Sequence, residues 1–96
     1  MVVHIVLFKF NEENKEANIQ KAKELIEALP SKITQIKKME VGVNFDTAPR
    51  AMDLSLYSQF QTKEDLDIYA THSEHIKVID FIKTVTQYTK VSDYII

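Results

Sequence analysis

Apolar positions recur along this chain with two different periods. Val2-Val3-His4-Ile5-Val6-Leu7-Phe8-Lys9-Phe10 is rich in β-branched and aromatic residues, which predicts a strand. Val2, His4, Val6, Phe8 and Phe10 would face one way, and Val3, Ile5 and Leu7 the other. A strand apolar on both sides belongs to a sheet covered on both faces.

The period then changes. Ala22, Leu25, Ile26 and Leu29 recur at three- and four-residue spacing, predicting a helix that ends at Pro30-Ser31. Asn11 is the expected cap, with Glu12 and Glu13 at the positive end of the helix dipole. Ile33 to Asn44 alternates weakly through Ile36, Met39, Val41 and Val43 and predicts a second strand, with Gly42 expected to mark a bulge or bend. The dipeptide Lys37-Lys38 reads as a solvated turn, and Asn44 to Arg50, containing Pro49, as a loop.

Met52 to Phe60 predicts a third strand. Leu54, Leu56 and Phe60 lie on one side; Asp53, Ser55, Tyr57 and Gln59 form a solvated or interfacial polar face on the other. Thr62 and Asp65 resemble a cap before a short helix that carries Leu66 and Tyr69 to about Ala70. Ser73 is the next expected cap, ahead of a second helical segment that buries Val78, Ile79, Ile82 and Val85 and ends near Tyr88. Val91 to Ile96 closes the chain as a strand.

Strand, helix, strand, strand, helix, strand is the α+β, ferredoxin-like βαββαβ order, with an antiparallel sheet and both helices on one face. The first strand is apolar on the opposite face too, so a second copy packed sheet to sheet is the expected cover. Residues 1–96 are expected to form one domain, because a chain of 96 residues holds one core.

Composition narrows the function classes. Net charge is −2, and neither half of the chain gathers a basic patch, so no nucleic-acid partner is expected. The longest apolar run, Ile5 to Phe8, is far short of the roughly 20 residues a membrane span needs. There is no cysteine, hence no thiol chemistry, and the opening residues lack the long apolar run of a signal peptide. A cytoplasmic location is the default. With Gly42 the sole glycine, no phosphate-cradling loop can form.

A resemblance spans nearly the whole chain. It is carried by His4-Ile5-Val6-Leu7-Phe8-Lys9-Phe10, Gly42-Val43-Asn44, Phe60, Tyr69, His72-Ser73-Glu74-His75 and Phe81-Ile82. These resemble the stress-responsive A/B barrel domain family, also called dimeric α+β barrel proteins, whose members form dimers around a central barrel. The family usually has Pro directly after the first His of the pair; Ser73 stands there, and both residues suit a helix start.

All three histidines fall in one constellation with Tyr69. His75 stands three, four and seven residues before Val78, Ile79 and Ile82, so it heads the apolar stripe and points toward the sheet. It lies in the first helical turn, where the dipole disfavours the imidazolium. A neutral imidazole beside a tyrosine hydroxyl can take a proton from a carbon acid. The family's plant polyketide cyclases imply such roles: a His matching His75 as base, a Tyr matching Tyr69 positioning the substrate, and a pocket-lining His matching His4, in an intramolecular aldol closure.

His72 and His75 straddle a helix start with no cysteine or obligatory carboxylate to complete a ligand set, so no metal site is expected. No other cofactor is expected, since a lone His does not make a haem site. His72 is expected to be structural or exposed. Two functions follow. The first is a homodimeric, non-catalytic binding or stress-protective protein whose His75 and Tyr69 are hydrogen-bonded plugs. The alternative is a cofactor-free cyclase- or lyase-like enzyme acting on a small ketone-bearing or aromatic molecule, with His75 as base, Tyr69 orienting and His4 assisting. An open cavity of a few hundred cubic ångströms at His75 would favour the enzyme; a packed one, the binding protein.

Overall fold

The structure is a computed structural model describing residues 1–96. Strand β1 spans Val2–Phe10, helix α1 Lys15–Glu27, β2 Ile36–Val43, β3 Leu54–Phe60, α2 Lys63–Thr71, α3 Ser73–Val85 and β4 Thr86–Ile95. The strands form one antiparallel sheet in the order β2-β3-β1-β4. This is the ferredoxin-like arrangement the period changes predicted.

Strand alternation and helix periodicity meet on one side of the sheet. Val2, Val6, Phe8 and Phe10 of β1 and Leu54, Leu56 and Phe60 of β3 bury themselves against the helices. The helices supply Ile19, Ala22 and Ile26 from α1 and Val78 and Ile82 from α3. Register places Val3, Ile5 and Leu7 on the opposite face, beside Gln59, Tyr57 and Ser55 of β3 and Tyr94, Ser92 and Lys90 of β4. No helix lies there, and Leu7 is 36% exposed.

Several boundaries differ from expectation, each for a local reason. Asn11 does not cap α1: its amide donates to the Val85 carbonyl at 2.9 Å, which ties it to the end of α3. The chain turns through residues 12–14, and Asn14 takes a left-handed conformation before the helix starts. After Glu27 a single 3-10 turn, Leu29–Ser31, accommodates Pro30.

Gly42 pairs regularly with Ser55, and the irregularity lies between Ile36 and Lys38 instead. An extra residue there puts Ile36 and Met39 toward the core despite their three-residue spacing, and places Lys37 and Lys38 in a strand rather than a turn. The three-then-two spacing of Ile36, Met39 and Val41 was the signal for it.

Helix α3 ends at Val85 rather than near Tyr88, and β4 starts at once, five residues earlier than expected. Thr86 already has extended dihedrals, and its hydroxyl donates to the Ile82 carbonyl at 2.9 Å, closing the helix. The following residues include Thr89 and Val91, which suit a strand.

Asp53 does not join the polar face of β3. It is 8% exposed and accepts the Phe10 amide at 2.7 Å. Lys15 stands 3.0 Å from its other oxygen. This knot joins the end of β1 to the start of α1, and the hydrogen bond Lys15 donates to Asp53 raises the Lys15 pKa. A carboxylate is tolerated in so closed a place because it is both hydrogen-bonded and paired.

Candidate functional site

The joint between α2 and α3 positions the site. Thr62 caps α2 by accepting the Asp65 amide at 3.1 Å, as expected. His72 is extended and ends α2. It also begins α3, its Nδ1 accepting the Glu74 amide at 3.1 Å. The cap is therefore His72 and not Ser73, which is the first helical residue. An acceptor Nδ1 leaves the His72 hydrogen on Nε2.

This break brings Tyr69 and His75 together. On one continuous helix, residues six apart would point about 120° apart. With His72 extended between two helices, the two rings lie 4.1 Å apart between centroids. Tyr69 is 2% exposed and packs on Phe60 at 5.0 Å. His4 meets it edge-on from β1 at 6.2 Å.

These three side chains share a cavity of about 440 Å³ between sheet and helices. Val6, Phe8, Leu56, Val78, Ile79 and Ile82 form its apolar wall. All three predicted site residues line it, and His72 does not.

The hydrogen bonds fix how the polar groups are presented. His75 Nδ1 lies 3.1 Å from the Ala70 carbonyl. A carbonyl only accepts, so Nδ1 carries the hydrogen and Nε2 keeps its lone pair. Burial pushes the His75 pKa below its ordinary value, partly offset by the Ala70 bond and aided by the nearby His4 and His72. Burial also raises the Tyr69 hydroxyl, which stays protonated and able to donate. No enclosed polar side-chain atom lacks a partner, so the Tyr69 hydroxyl, which bonds no protein group, is not enclosed, and Tyr69 lines the cavity.

The periodicity did not reveal Asp93. It lies directly opposite His4 in the β1–β4 register, and its carboxylate is hydrogen-bonded to His4 Nδ1. A signal was present: Asp93 interrupts the alternating row Val91, Asp93, Ile95 as its one charge. No three His, Cys, Asp or Glu side chains gather in a group that could hold a metal ion, and no helix is long and apolar enough to cross a membrane.

One antiparallel four-stranded sheet packed on one side by helices is the ferredoxin-like class of α+β fold. Residues 2–96 match the stress responsive A/B barrel domain, and the chain belongs to that family. Among solved structures, a dimeric protein of unknown function and ferredoxin-like fold from Bacteroides fragilis is 37% identical, with a TM-score of 0.91 over 99% of this chain and 95% of that one. A dimeric ferredoxin-like protein of unknown function from Thermobifida fusca is 17% identical, with a TM-score of 0.88 over 99% and 90%. The hydroxynitrile lyase from Passiflora edulis is 15% identical, with a TM-score of 0.87 over 99% and 92%; like the preceding likeness, it shows the fold alone. None of the curated proteins compared is similar enough in sequence to count as a match.

Proposed function

We propose that the cavity binds a small ketone-bearing or aromatic molecule and that His75 removes a carbon-bound proton from it without a cofactor. The observation that carries this reading is the unbonded Nε2 of His75 on a cavity of about 440 Å³, beside a tyrosine hydroxyl with no protein partner. A space of that size is in the range of small-molecule sites. If the histidine and tyrosine were only structural plugs, their polar atoms would be spent on backbone and the space would be filled. Tyr69 would orient the carbonyl by donating to its oxygen, and His4 would assist. Fold does not choose this chemistry, since relatives of the same fold carry different descriptions; the support for it comes from the site.

We also infer a homodimer formed through the outer sheet face. Its support is the apolar side of β1 turned away from the helices, where Ile5 is half-buried and Leu7 exposed, together with relatives described as dimeric.

Nitrobenzisoxazole tests the base. Loss of its ring proton breaks the N–O bond and releases a coloured nitrophenolate. The wild-type protein is expected to accelerate this opening. His75→Gln should lower the rate about a hundredfold, as expected for loss of a general base. Equal rates in wild type and variant would sink the enzymatic reading. Binding of the compound without turnover would leave a binding protein.

A further inference from the structure

Proton abstraction by His75 leaves the second imidazole of the cavity without a defined task. We propose that Asp93 is a positioning residue that holds His4 with Nε2 toward the cavity, so that His4 donates to the oxygen on which negative charge collects. This inference rests on the reading of the cavity as a general-base site.

The geometry is a cross-strand pair. His4 and Asp93 are direct partners in the antiparallel ladder of β1 and β4, and His4 Nδ1 is bonded to the Asp93 carboxylate. An ionised carboxylate only accepts, so the hydrogen lies on His4 Nδ1. Edge contacts to Phe60 at 6.5 Å and to Tyr69 at 6.2 Å hold the ring from the other side. His4 Nε2 has no protein partner, and no enclosed polar side-chain atom is left unpaired. That nitrogen is therefore not enclosed, and His4 lines the cavity. Asp93 does not line the cavity, so any influence it has on a bound molecule passes through His4.

The two imidazoles are thus held by different acceptors. A neutral carbonyl holds His75, which suits a base that starts neutral. An anion holds His4, which suits a ring that carries positive charge while it donates. In the reaction the carbon–hydrogen bond breaks and the proton passes to His75 Nε2. The electron pair moves through the new carbon–carbon double bond onto the carbonyl oxygen. That oxygen takes a hydrogen bond, and then the proton, from Nε2 of protonated His4. His4 is left neutral, its Nδ1 still carrying its hydrogen and donating it to Asp93. If His75 returns its proton to carbon, the oxygen returns its own to His4; if the enol leaves instead, His75 gives its proton to solvent and His4 takes one up, so protons balance on either route.

Para-nitrophenol tests this, because its phenolate resembles the enolate and its absorbance reports ionisation. Wild type is expected to bind it as the phenolate. Asp93→Asn, which keeps the shape of the side chain, should bind it about tenfold more weakly, the value of one hydrogen bond to a charged group, with a smaller bound phenolate fraction and unchanged thermal unfolding. His4→Gln should show the same loss, and the double variant no more than His4→Gln alone, because Asp93 acts through His4. Wild-type affinity and phenolate fraction in Asp93→Asn, or additive losses in the double variant, would overturn the proposal. If Asp93→Asn unfolds, unchanged phenolate binding by His4→Gln overturns it. Absence of nitrophenol binding to the wild type overturns it together with the general-base reading. A His75-dependent nitrobenzisoxazole reaction alongside a silent Asp93→Asn overturns the role of Asp93 alone.

Discussion

His75 combines two influences of opposite sign. Burial among apolar side chains disfavours its charged form, while the Ala70 carbonyl stabilises the ring hydrogen; burial is the larger, so the pKa falls below 6.5. The consequence for stability has a definite direction. Above 6.5, His75 is neutral both folded and unfolded and adds no pH dependence. As pH falls through 6.5, the unfolded chain takes up a proton that the folded site resists, so stability is lost progressively down to the folded pKa. His75→Gln should therefore unfold with a shallower decline in Tm below about pH 6.5 than the wild type. Thermal melts at a series of pH values would read it, and parallel declines would contradict the burial argument.

At the scale of elements, the site depends on the break between α2 and α3 more than on either helix. His72 is its joint: its amide donates to the Tyr69 carbonyl at 3.1 Å, and its own carbonyl accepts the Ile76 amide at 3.0 Å. Its Nδ1 satisfies the Glu74 amide, one of the donors a helix start leaves free. His72→Ala should cost about 1 kcal/mol, the usual value of a cap, and His72→Asn should recover most of it, since the asparagine oxygen can accept the same amide. Urea unfolding of the three proteins checks this. Equal losses in both variants would mean that the ring's packing, not its cap bond, matters. The Asp53 knot at the other end of β1 serves the sheet in the same way, giving the Phe10 amide an acceptor where the ladder ends.

At the scale of the whole molecule, the uneven distribution of layers governs behaviour. Every helix lies on one side of the sheet, and the other side presents Leu7 and its apolar neighbours. Leu7 lies outside the core cluster, so a charge there should spare the fold and act on association. Leu7→Glu is expected to shift the protein from dimer to monomer in sedimentation while far-UV circular dichroism stays unchanged. A dimer that persists would place the interface elsewhere. At β4, an edge strand paired only with β1, Val91 lines the cavity while 57% exposed.

Much of this protein was legible in the order of its residues, because alternation and helical period are local properties. The strand at Val2–Phe10, the stripes of α1 and α3, the Thr62 cap and the ferredoxin-like order all follow from spacing along a few turns of chain. So does the inward direction of His75, which heads the row Val78, Ile79 and Ile82. Tertiary structure decided what depends on partners distant in sequence. Asp53 read as surface because its hydrogen-bond partner Phe10 is 43 residues away. Asp93 read as one more strand residue because His4 lies 89 residues off. The start of β4 at Thr86 depended on pairing with β1, which a period cannot register. The cavity depended on the angle at His72, where one extended residue reset the phase between two helices and turned Tyr69 and His75 toward the same space.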